Sequence, residues 1–423
     1  MMRKELLGRM FRTAAMIMIM SMLAGACSKN NGPEKPEDNT GQTTGPGGNG
    51  SGDQGNSGNE GGSGDEGGNE GGTSGGDHGG SGDSGDQGGS GGSGDQGDQP
   101  KPQITANSWM TAIDDDTKIA MLTIPGTHDA ATSTCAGPGK CQTLTISGQL
   151  EHGVRAFDLR PTMDNNSTLG NIYHSILDTG VSMGDAMEYF DSFLKAHPGE
   201  GIIVIMRYES ERQIFGSIAE DNYKTAMKNF LWDNRIYQSR MAAFNKSMTM
   251  KDLRGKILII SRNDLSPVST FETAYTQWSH SNSVGEALQI YGTGGLGRIY
   301  VQDMYSAEKN GNSSEADFLA KKKELVCKLL DITVPFREYE QNNWVINYCS
   351  GYAGSSFASD SYAKNAASTN PAALEHIQAH TGKGFTGIVM MDYAGTDTYE
   401  VGGSTFSVSG KSLTEALIMN NFQ

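Results

Sequence analysis

MLTIPGTHD, residues Met121 to Asp129, is the most informative segment of the sequence, because an apolar run there leads straight into polar side chains. The run reaches Pro125 and Gly126, a pair typical of a turn, and His128 and Asp129 follow. This order predicts a buried strand that leaves its sheet at the Pro-Gly pair. In parallel α/β proteins the chemistry lies at the carboxyl ends of strands, so we expect both polar residues in a functional site.

Eight apolar runs rich in β-branched residues are predicted as strands. They cover residues 120–124, 154–159, 169–173, 202–206, 257–260, 299–301, 344–348 and 387–391. Helical segments between several of them predict parallel crossovers and a (β/α)8 TIM barrel. The link 160–169 is too short and too polar for a helix, so the barrel is expected to be distorted or partly open. A doubly wound open sheet is the alternative.

Helix boundaries are clearest at 183–196. Ser182 is positioned as the N-cap, Asp185 follows three residues later, and Pro198 with Gly199 ends the helix. Further helices are predicted near 221–231 and 314–330, and over 371–380. The last of these would be capped by Asn370, with Pro371 in its first turn.

The first 100 residues differ in composition from the rest. Residues 1–26 combine a basic start with an uncharged apolar run and predict a signal peptide. The run ends in LAGAC, which resembles a bacterial lipobox, so Cys27 is the expected lipidation site. Residues 28–100 hold 28 of the 57 glycines and 13 acidic residues, which predicts a disordered linker after the lipidated cysteine. We expect one folded domain over 101–423, held at the cell envelope, either surface-exposed or periplasmic.

Charge and the remaining motifs exclude several classes. Of the chain's net charge of −16, the linker holds −11 and the signal peptide +3, which leaves −8 for residues 101–423 and argues against nucleic-acid binding. A monomer is expected. Export makes disulfides possible between Cys135 and Cys141 or between Cys327 and Cys349, and the pairing stays open. A G-x-G-x-x-G pattern at 292–297 precedes a strand instead of opening a helix, which disfavours dinucleotide binding.

Histidines and tryptophans outside the strand ends are predicted to be structural. His152 precedes a predicted strand, and His197, His376 and His380 are predicted at helix ends or on the surface. Buried packing is the expected role of the tryptophans at 109, 278 and 344.

Polar or ionisable side chains follow every predicted strand, and this inventory points to one site. In strand order they are His128 and Asp129, Asp158 and Arg160, His174, Arg207 and Glu209, Arg262, Asp303 and Tyr305, Asn347 and Tyr348, and Asp392 and Tyr393. Each alone could be a strand end that meets solvent. Together they would supply a general acid, a general base and an anion clamp at one mouth of the barrel.

Four sequence elements resemble the catalytic half of bacterial phosphatidylinositol-specific phospholipase C. They are SWM at 108–110, IPGTHDA at 124–130, HGVRAFDLR at 152–160, and the histidine fourteen residues later, His174. The resemblance extends through most of 106–393 and implies an irregular α/β barrel. It also implies that the inositol 2-hydroxyl attacks phosphorus, diacylglycerol leaves and a cyclic inositol phosphate forms.

The resemblance implies one role for each catalytic residue. His128 would be the general base and His174 the general acid, because imidazole titrates near neutral pH. Arg160 would clamp the phosphoryl oxygens, which implies a site without a metal or other cofactor, whereas eukaryotic relatives use calcium in this region. Three carboxylates would orient these groups: Asp392 for His128, Asp129 for His174, and Asp158 for Arg160.

The inositol ring would be bound by charged hydrogen-bonding groups and an aromatic face. The resemblance implies Arg207, Arg262, Asp303 and Tyr305. The partner would be an inositol phospholipid at a membrane surface, with the choice among phosphatidylinositol, a glycosylated lipid anchor and another phosphodiester left open. Two alternatives are a glycerophosphodiester-type phosphodiesterase and an inactive surface-binding lipoprotein.

Overall fold

The computed structural model of the protein describes residues 104–163, 168–209, 220–266, 273–306, 314–339, 341–380 and 385–423. The predicted signal peptide, lipidation site and linker lie outside these residues. The strands are β1 Thr123–Thr127, β2 Ala156–Leu159, β3 Pro161–Met163, β4 Leu169–His174, β5 Leu177–Ser182, β6 Ile202–Met206, β7 Ile257–Ser261, β8 Ala274–Tyr275, β9 Glu286–Gly292, β10 Gly295–Gln302, β11 Trp344–Tyr348, β12 Gly387–Met391, β13 Thr398–Val401 and β14 Ser404–Ser407.

Nine of these strands form a closed barrel in the order β1-β12-β11-β10-β9-β8-β7-β6-β2. Neighbours are parallel except at β9, which runs antiparallel to β8 and β10 within the described residues. The predicted α/β barrel is therefore confirmed, and its irregularity is this reversed strand. The barrel was expected to be distorted or partly open, and it is distorted but closed, with nine strands where eight were predicted. The open-sheet alternative is wrong.

Three strand predictions need correction. The run 169–173 belongs to β4, which pairs antiparallel with β3 and β5 in a separate three-stranded sheet. The barrel strands β8 and β9 were not predicted. β8 has only two residues, and β9 alternates exposed and partly buried positions along most of its length, so neither forms an apolar run. The pattern at 292–297 lies in the hairpin that joins β9 to β10.

The first strand continues through the Pro-Gly pair instead of ending at it. β1 spans Thr123–Thr127, and the carbonyl of Pro125 accepts a hydrogen bond from the backbone N–H of Arg155 at 3.0 Å. A Cβ on Gly126 would collide with the sulfur of Met390 and press on Ala156. The glycine therefore lets β12 and β2 approach β1 closely, and the pair serves barrel packing and not a turn.

The helices are α1 Ile146–Glu151, α2 Met183–Ala196, α3 Glu220–Met227, α4 Arg235–Arg240, α5 Met250–Leu253, α6 Glu315–Tyr339, α7 Ser361–Ala379 and α8 Gly410–Met419. Shorter turns are 3-10 helices at Ala106–Ala112, Ile119–Met121, Thr132–Thr134, Gly137–Gly139 and Asn420–Phe422, and a π-helix at Lys228–Trp232. The boundaries predicted for α2 are confirmed, including the reciprocal capping box of Ser182 and Asp185.

Helix α7 begins ten residues before its predicted start, so Pro371 lies inside the helix. Polar side chains along α7 hold it to the barrel. Thr369 donates to the carbonyl of Cys349 at 2.9 Å, and Asn370 donates to the carbonyl of Asp392 at 3.0 Å. Asn370 therefore anchors the helix to the end of β12, whereas its position directly before Pro371 had predicted a helix cap.

The barrel strands separate two apolar cores. On β6, Ile203 and Ile205 join an inner cluster that includes the buried Trp109 and Trp344, while Val204 packs outward with α2. Trp278 is only partly buried. The four cysteines of the described residues are free, so neither disulfide considered above is formed. The search for a helix long and apolar enough to cross a membrane finds none in the described part of the chain.

A buried lysine beneath the barrel mouth offers a test of the packing. Lys322 of α6 is fully buried, and its Nζ lies 3.2 Å from Oε1 of Gln302. Burial lowers the pKa of Lys322 to about 8, against the raising effect of Asp303. The same Gln302 oxygen accepts the N–H of Met304 at 2.9 Å, so it keeps a donor if the lysine is removed.

We expect Lys322→Met to raise the free energy of unfolding at pH 7 by about 1–3 kcal/mol, because a buried charge is replaced by an apolar side chain. Because the pKa of Lys322 is about 8 in the folded protein, the destabilisation caused by its buried charge is complete below pH 8. This destabilisation decreases as the pH rises toward the ordinary lysine pKa. The gain should therefore shrink at pH 10. Denaturant unfolding of the variant, with the exposed neighbour Lys321→Met as control, measures both effects. A Lys322→Met protein no more stable than wild type at pH 7 would contradict the account.

Candidate active site

The carboxyl ends of the barrel strands surround a cavity of about 250 Å³. Eight of the ten side chains that the sequence predicted for catalysis or ring binding line it: His128, Asp129, Arg160, His174, Arg207, Arg262, Asp303 and Tyr305. The other two, Asp158 and Asp392, are fully buried and contact members of this set. The structure therefore brings all ten together, although their proposed roles remain predictions.

Asp129 is the centre of the arrangement. Its Oδ1 lies 3.0 Å from Nε of Arg160, and its Oδ2 lies 3.2 Å from Nε2 of His128 and 3.4 Å from Nε2 of His174. The backbone at Asp129 is left-handed, with φ of 43°, a conformation that aspartate tolerates better than most residues. The sequence prediction paired Asp129 with His174 across the site, whereas the carboxylate contacts both histidines.

The Nδ1 atom of His128 is hydrogen-bonded and fixes the orientation of the ring. Nδ1 lies 2.9 Å from Oδ1 of Asp392 at the end of β12, and this hydrogen bond directs Nε2 toward the cavity. Burial disfavours the charged ring, but attraction by Asp129 and Asp392 outweighs it and raises the pKa of His128 to about 9. The side chain of Gln142 donates to the carbonyls of His128 and Met391, which ties the ends of β1 and β12 together.

Arg160 is fixed from two directions. Beside its contact with Asp129, its Nη2 donates to Oδ2 of Asp158 at 2.9 Å. Burial works against the charge of Asp129, but attraction by Arg160, followed by His128 and His174, lowers the pKa of this carboxyl to about 2. A rigid guanidinium at the cavity wall suits recognition of a phosphate group.

His174 reaches the cavity from outside the barrel sheet, at the end of β4. Its Nδ1 donates to the carbonyl of Gly139 at 3.0 Å, which leaves Nε2 facing the cavity. Nε2 also lies 3.0 Å from the hydroxyl of Tyr362, in the first turn of α7. Tyr362 was not predicted as a site residue, because it lies before the predicted start of the helix and does not directly follow a predicted strand.

A second cluster of side chains, formed by Arg262, Asp303 and Trp278, belongs to the same cavity. Nη2 of Arg262 lies 3.5 Å from Oδ2 of Asp303, and the guanidinium stacks 4.1 Å from the ring centre of Trp278. The indole N–H of Trp278 donates to the same Asp303 oxygen at 2.9 Å. Sequence reasoning assigned Trp278 to packing and so missed this role. It named Glu209 as a strand-end residue without a role, and Glu209 also lines the cavity.

Three potential metal ligands lie close together at the cavity. Ligand atoms of His128, Asp129 and Cys141 lie within 4.8 Å of one another. A thiol and an imidazole suit a soft metal better than calcium, which prefers oxygen ligands. The guanidinium of Arg160 already supplies positive charge at Asp129, so this geometry fits an anionic ligand. A site that works without metal stays a prediction.

The fold and the site define an α/β barrel with paired histidines, an arginine and carboxylates at the carboxyl ends of its strands. Residues 124–263 match the family described as phosphatidylinositol-specific phospholipase C, X domain. A 1-phosphatidylinositol phosphodiesterase of Listeria monocytogenes is 36% identical over 171 residues, 38% of this chain and 51% of that protein. The alignment thus spans about half the length of that relative. One from Staphylococcus aureus is 25% identical over 299 residues, 68% of this chain and 88% of that protein.

Solved structures show the same fold. A variant of the phosphatidylinositol-specific phospholipase C from Staphylococcus aureus aligns with a TM-score of 0.60 at 24% identity, covering 75% of this chain and 97% of that one. The enzyme from Listeria monocytogenes aligns with a TM-score of 0.54 at 23% identity, covering 76% and 100%. Residues 124–263 thus resemble the X domain of phosphatidylinositol-specific phospholipase C, and the described residues share the fold of the two bacterial enzymes.

The raised pKa of His128 predicts a pH dependence of stability. The pKa rises from 6.5 to about 9 on folding, so the stabilisation is complete below pH 6.5 and is lost as the pH rises through 9. We expect wild-type protein to lose on the order of 1–3 kcal/mol between pH 6 and pH 9.5 through this group. Unfolding measurements should show a smaller loss in His128→Gln.

Asp392→Asn should lower the pKa of His128, because it removes a charge and a charged hydrogen-bond acceptor. NMR titration of the histidine Cε1 proton measures the shift directly. His152→Gln, an exposed histidine at the end of α1, is the control for both experiments. A His128 that titrates near 6.5 in wild type would refute the electrostatic account.

Proposed function

We propose that the protein cleaves phosphatidylinositol, or a related inositol phospholipid or glycosylated lipid anchor, to diacylglycerol and a cyclic inositol phosphate. One observation carries the proposal. Two imidazoles present Nε2 to the same cavity on either side of one Asp129 oxygen, and Arg160 holds the other oxygen of that carboxylate. Base, acid and phosphate clamp are thus within reach of a single phosphodiester.

His128 is the proposed general base. Its Nε2 would accept the proton of the inositol 2-hydroxyl as that oxygen attacks phosphorus. Asp392, bonded to Nδ1, keeps the ring in the tautomer that leaves Nε2 able to accept, and it stabilises the imidazolium that forms. Because the base must be neutral, the fraction of His128 that is able to act as the base should increase as the pH rises from 6.5 toward 9.

His174 is the proposed general acid. Its Nδ1–H is committed to the carbonyl of Gly139, so the proton that moves is the one on Nε2, toward the leaving glyceride oxygen. Asp129 lies near both Nε2 atoms and stabilises whichever ring is charged. The proton gained by His128 can later be returned to solvent, and His174 can be reprotonated, which restores the resting state.

Arg160 would stabilise the negative charge that develops on the phosphoryl oxygens. Contacts to Asp129 and Asp158 orient its guanidinium before substrate arrives, so little reorganisation is needed during reaction. Arg207, Arg262, Asp303 and Tyr305 are proposed to bind the inositol ring. Arg262 and Asp303 are already held against Trp278, which makes this part of the cavity preorganised.

A lipid substrate is supported by apolar groups around the same cavity. Ile176 and Leu177 line it, and so does Phe357, whose side chain is 55% exposed. An exposed phenylalanine beside a charged cavity suits a substrate with a polar head group and acyl chains.

We also propose that the enzyme works as a monomer at the cell envelope, held by lipid on Cys27. Metabolic labelling with radioactive palmitate should mark wild type and not Cys27→Ser.

The activity is tested with unilamellar vesicles that contain phosphatidylinositol, in excess EDTA, with products followed by phosphorus NMR. We expect the resonance of a five-membered cyclic phosphate to appear without added metal. His128→Ala and His174→Ala should each reduce the rate by about 10²- to 10⁴-fold, because each removes one proton transfer. His152→Ala should keep wild-type activity.

The alternatives give different outcomes in the same assay. Cleavage of glycerophosphoinositol in preference to the lipid, abolished by EDTA and restored by a divalent metal, would indicate a glycerophosphodiester-type phosphodiesterase. Folded wild-type protein that binds the vesicles and forms no product would support a binding lipoprotein. Full activity in His128→Ala would exclude the proposed base.

A further inference from the structure

A second cluster of potential ligands lies on the outside of the barrel, where α6 packs against α7. Asp331 comes from α6, His376 from the last turn of α7, and His380 is the C-cap of α7. The two histidines have i, i+4 spacing, which places them on one face of the helix. Fourteen residues, or about 21 Å of helix, separate His376 from Tyr362 at the active site, so the cluster takes no part in the proposed catalysis.

The spacing of these side chains resembles that of metal ligands. Nε2 of His376 lies 3.2 Å from Oδ1 of Asp331. Two ligands at the usual 2.0–2.1 Å from a tetrahedral zinc ion are about 3.3 Å apart, so this pair already has the required separation. The rings of His376 and His380 stack at 4.2 Å between centres, and one ligand atom from each of the three residues lies within 4.8 Å of the others.

The hydrogen bonding of His380 prepares it to bind a metal. Its Nδ1 donates to the carbonyl of His376 at 2.8 Å, which leaves the lone pair on Nε2 available. Such a bond from the second ring nitrogen is typical of histidine ligands, because it sets the tautomer and the ring orientation.

The donor set defines the class of metal. Two imidazoles and one carboxylate suit zinc and its neighbours in the first transition series, whereas calcium and magnesium prefer oxygen ligands alone. The side chain of Asp331 is 59% exposed, so water can reach the remaining coordination position. A metal held here would cross-link α6 and α7, the helices that follow β10 and β11.

We propose that Asp331, His376 and His380 form a surface site for a divalent transition metal, with zinc as the expected ion. The site is independent of the proposed cleavage of phosphatidylinositol. Metal binding to the folded state stabilises it, so zinc should raise the melting temperature of the metal-free protein. The metal-independence predicted above concerns the catalytic cavity alone, and zinc removal from α6 and α7 should leave catalysis intact.

The test uses the full chain without a histidine tag, stripped with chelator and then dialysed. Isothermal titration with zinc chloride should show one site that is absent in His376→Ala/His380→Ala and weakened at least about tenfold in Asp331→Asn. His152→Ala is the matched control: His152 also donates Nδ1 to a carbonyl four residues earlier at a helix end, and it belongs to no cluster of three ligands among the described residues. NMR of the imidazole nitrogens should show zinc shifts at 376 and 380.

The catalytic cavity and the acidic linker could also take up zinc, and the variants separate these sources. Such binding would persist unchanged in the double variant, whereas the proposed site would be lost from that variant and would remain as the difference between the two titrations. Identical stoichiometry and affinity in wild type and double variant would overturn the proposal, as would an absence of zinc binding to wild type. Unchanged phosphatidylinositol cleavage and circular dichroism in the double variant would show that it is folded.

Discussion

The Asp129 carboxylate is the contact on which the site depends. One oxygen faces Arg160 and the other lies between the Nε2 atoms of His128 and His174. Three cationic or potentially cationic groups would repel one another without it, since they crowd one small cavity. The backbone at this residue is left-handed, with φ of 43°. A costly local conformation is thus held in place by the electrostatics it makes possible.

Barrel closure supplies the remaining partners. His128 and Asp392 are 264 residues apart in sequence, yet β1 and β12 are hydrogen-bonded neighbours and place them 2.9 Å apart. The missing side chain at Gly126 allows that approach, since a Cβ would collide with Met390 of β12. The orientation of His128 is therefore a consequence of how tightly the barrel closes. Packing of the strands and tuning of the imidazole cannot be changed independently.

His174 depends on elements outside the barrel sheet. It sits at the end of β4, and a short loop carbonyl at Gly139 fixes its tautomer. The first turn of α7 adds the hydroxyl of Tyr362. The far end of that helix carries His376 and His380, so one element serves the catalytic cavity at its start and the proposed zinc site at its end. Residues along α7 bond to the ends of β11 and β12, which makes the helix a rigid link between them.

The sequence by itself determined features that depend on near neighbours in the chain. The capping box and apolar spacing of α2 predicted both ends of that helix, and polar residues after apolar strands predicted the ten side chains that meet at the cavity. Only the tertiary structure showed which strands pair, that β9 is reversed, and that Pro371 lies within α7. It also decided that Asp129 contacts both histidines. The physical reason is that local patterns report propensity and burial, whereas partner choice depends on contacts between segments far apart in sequence.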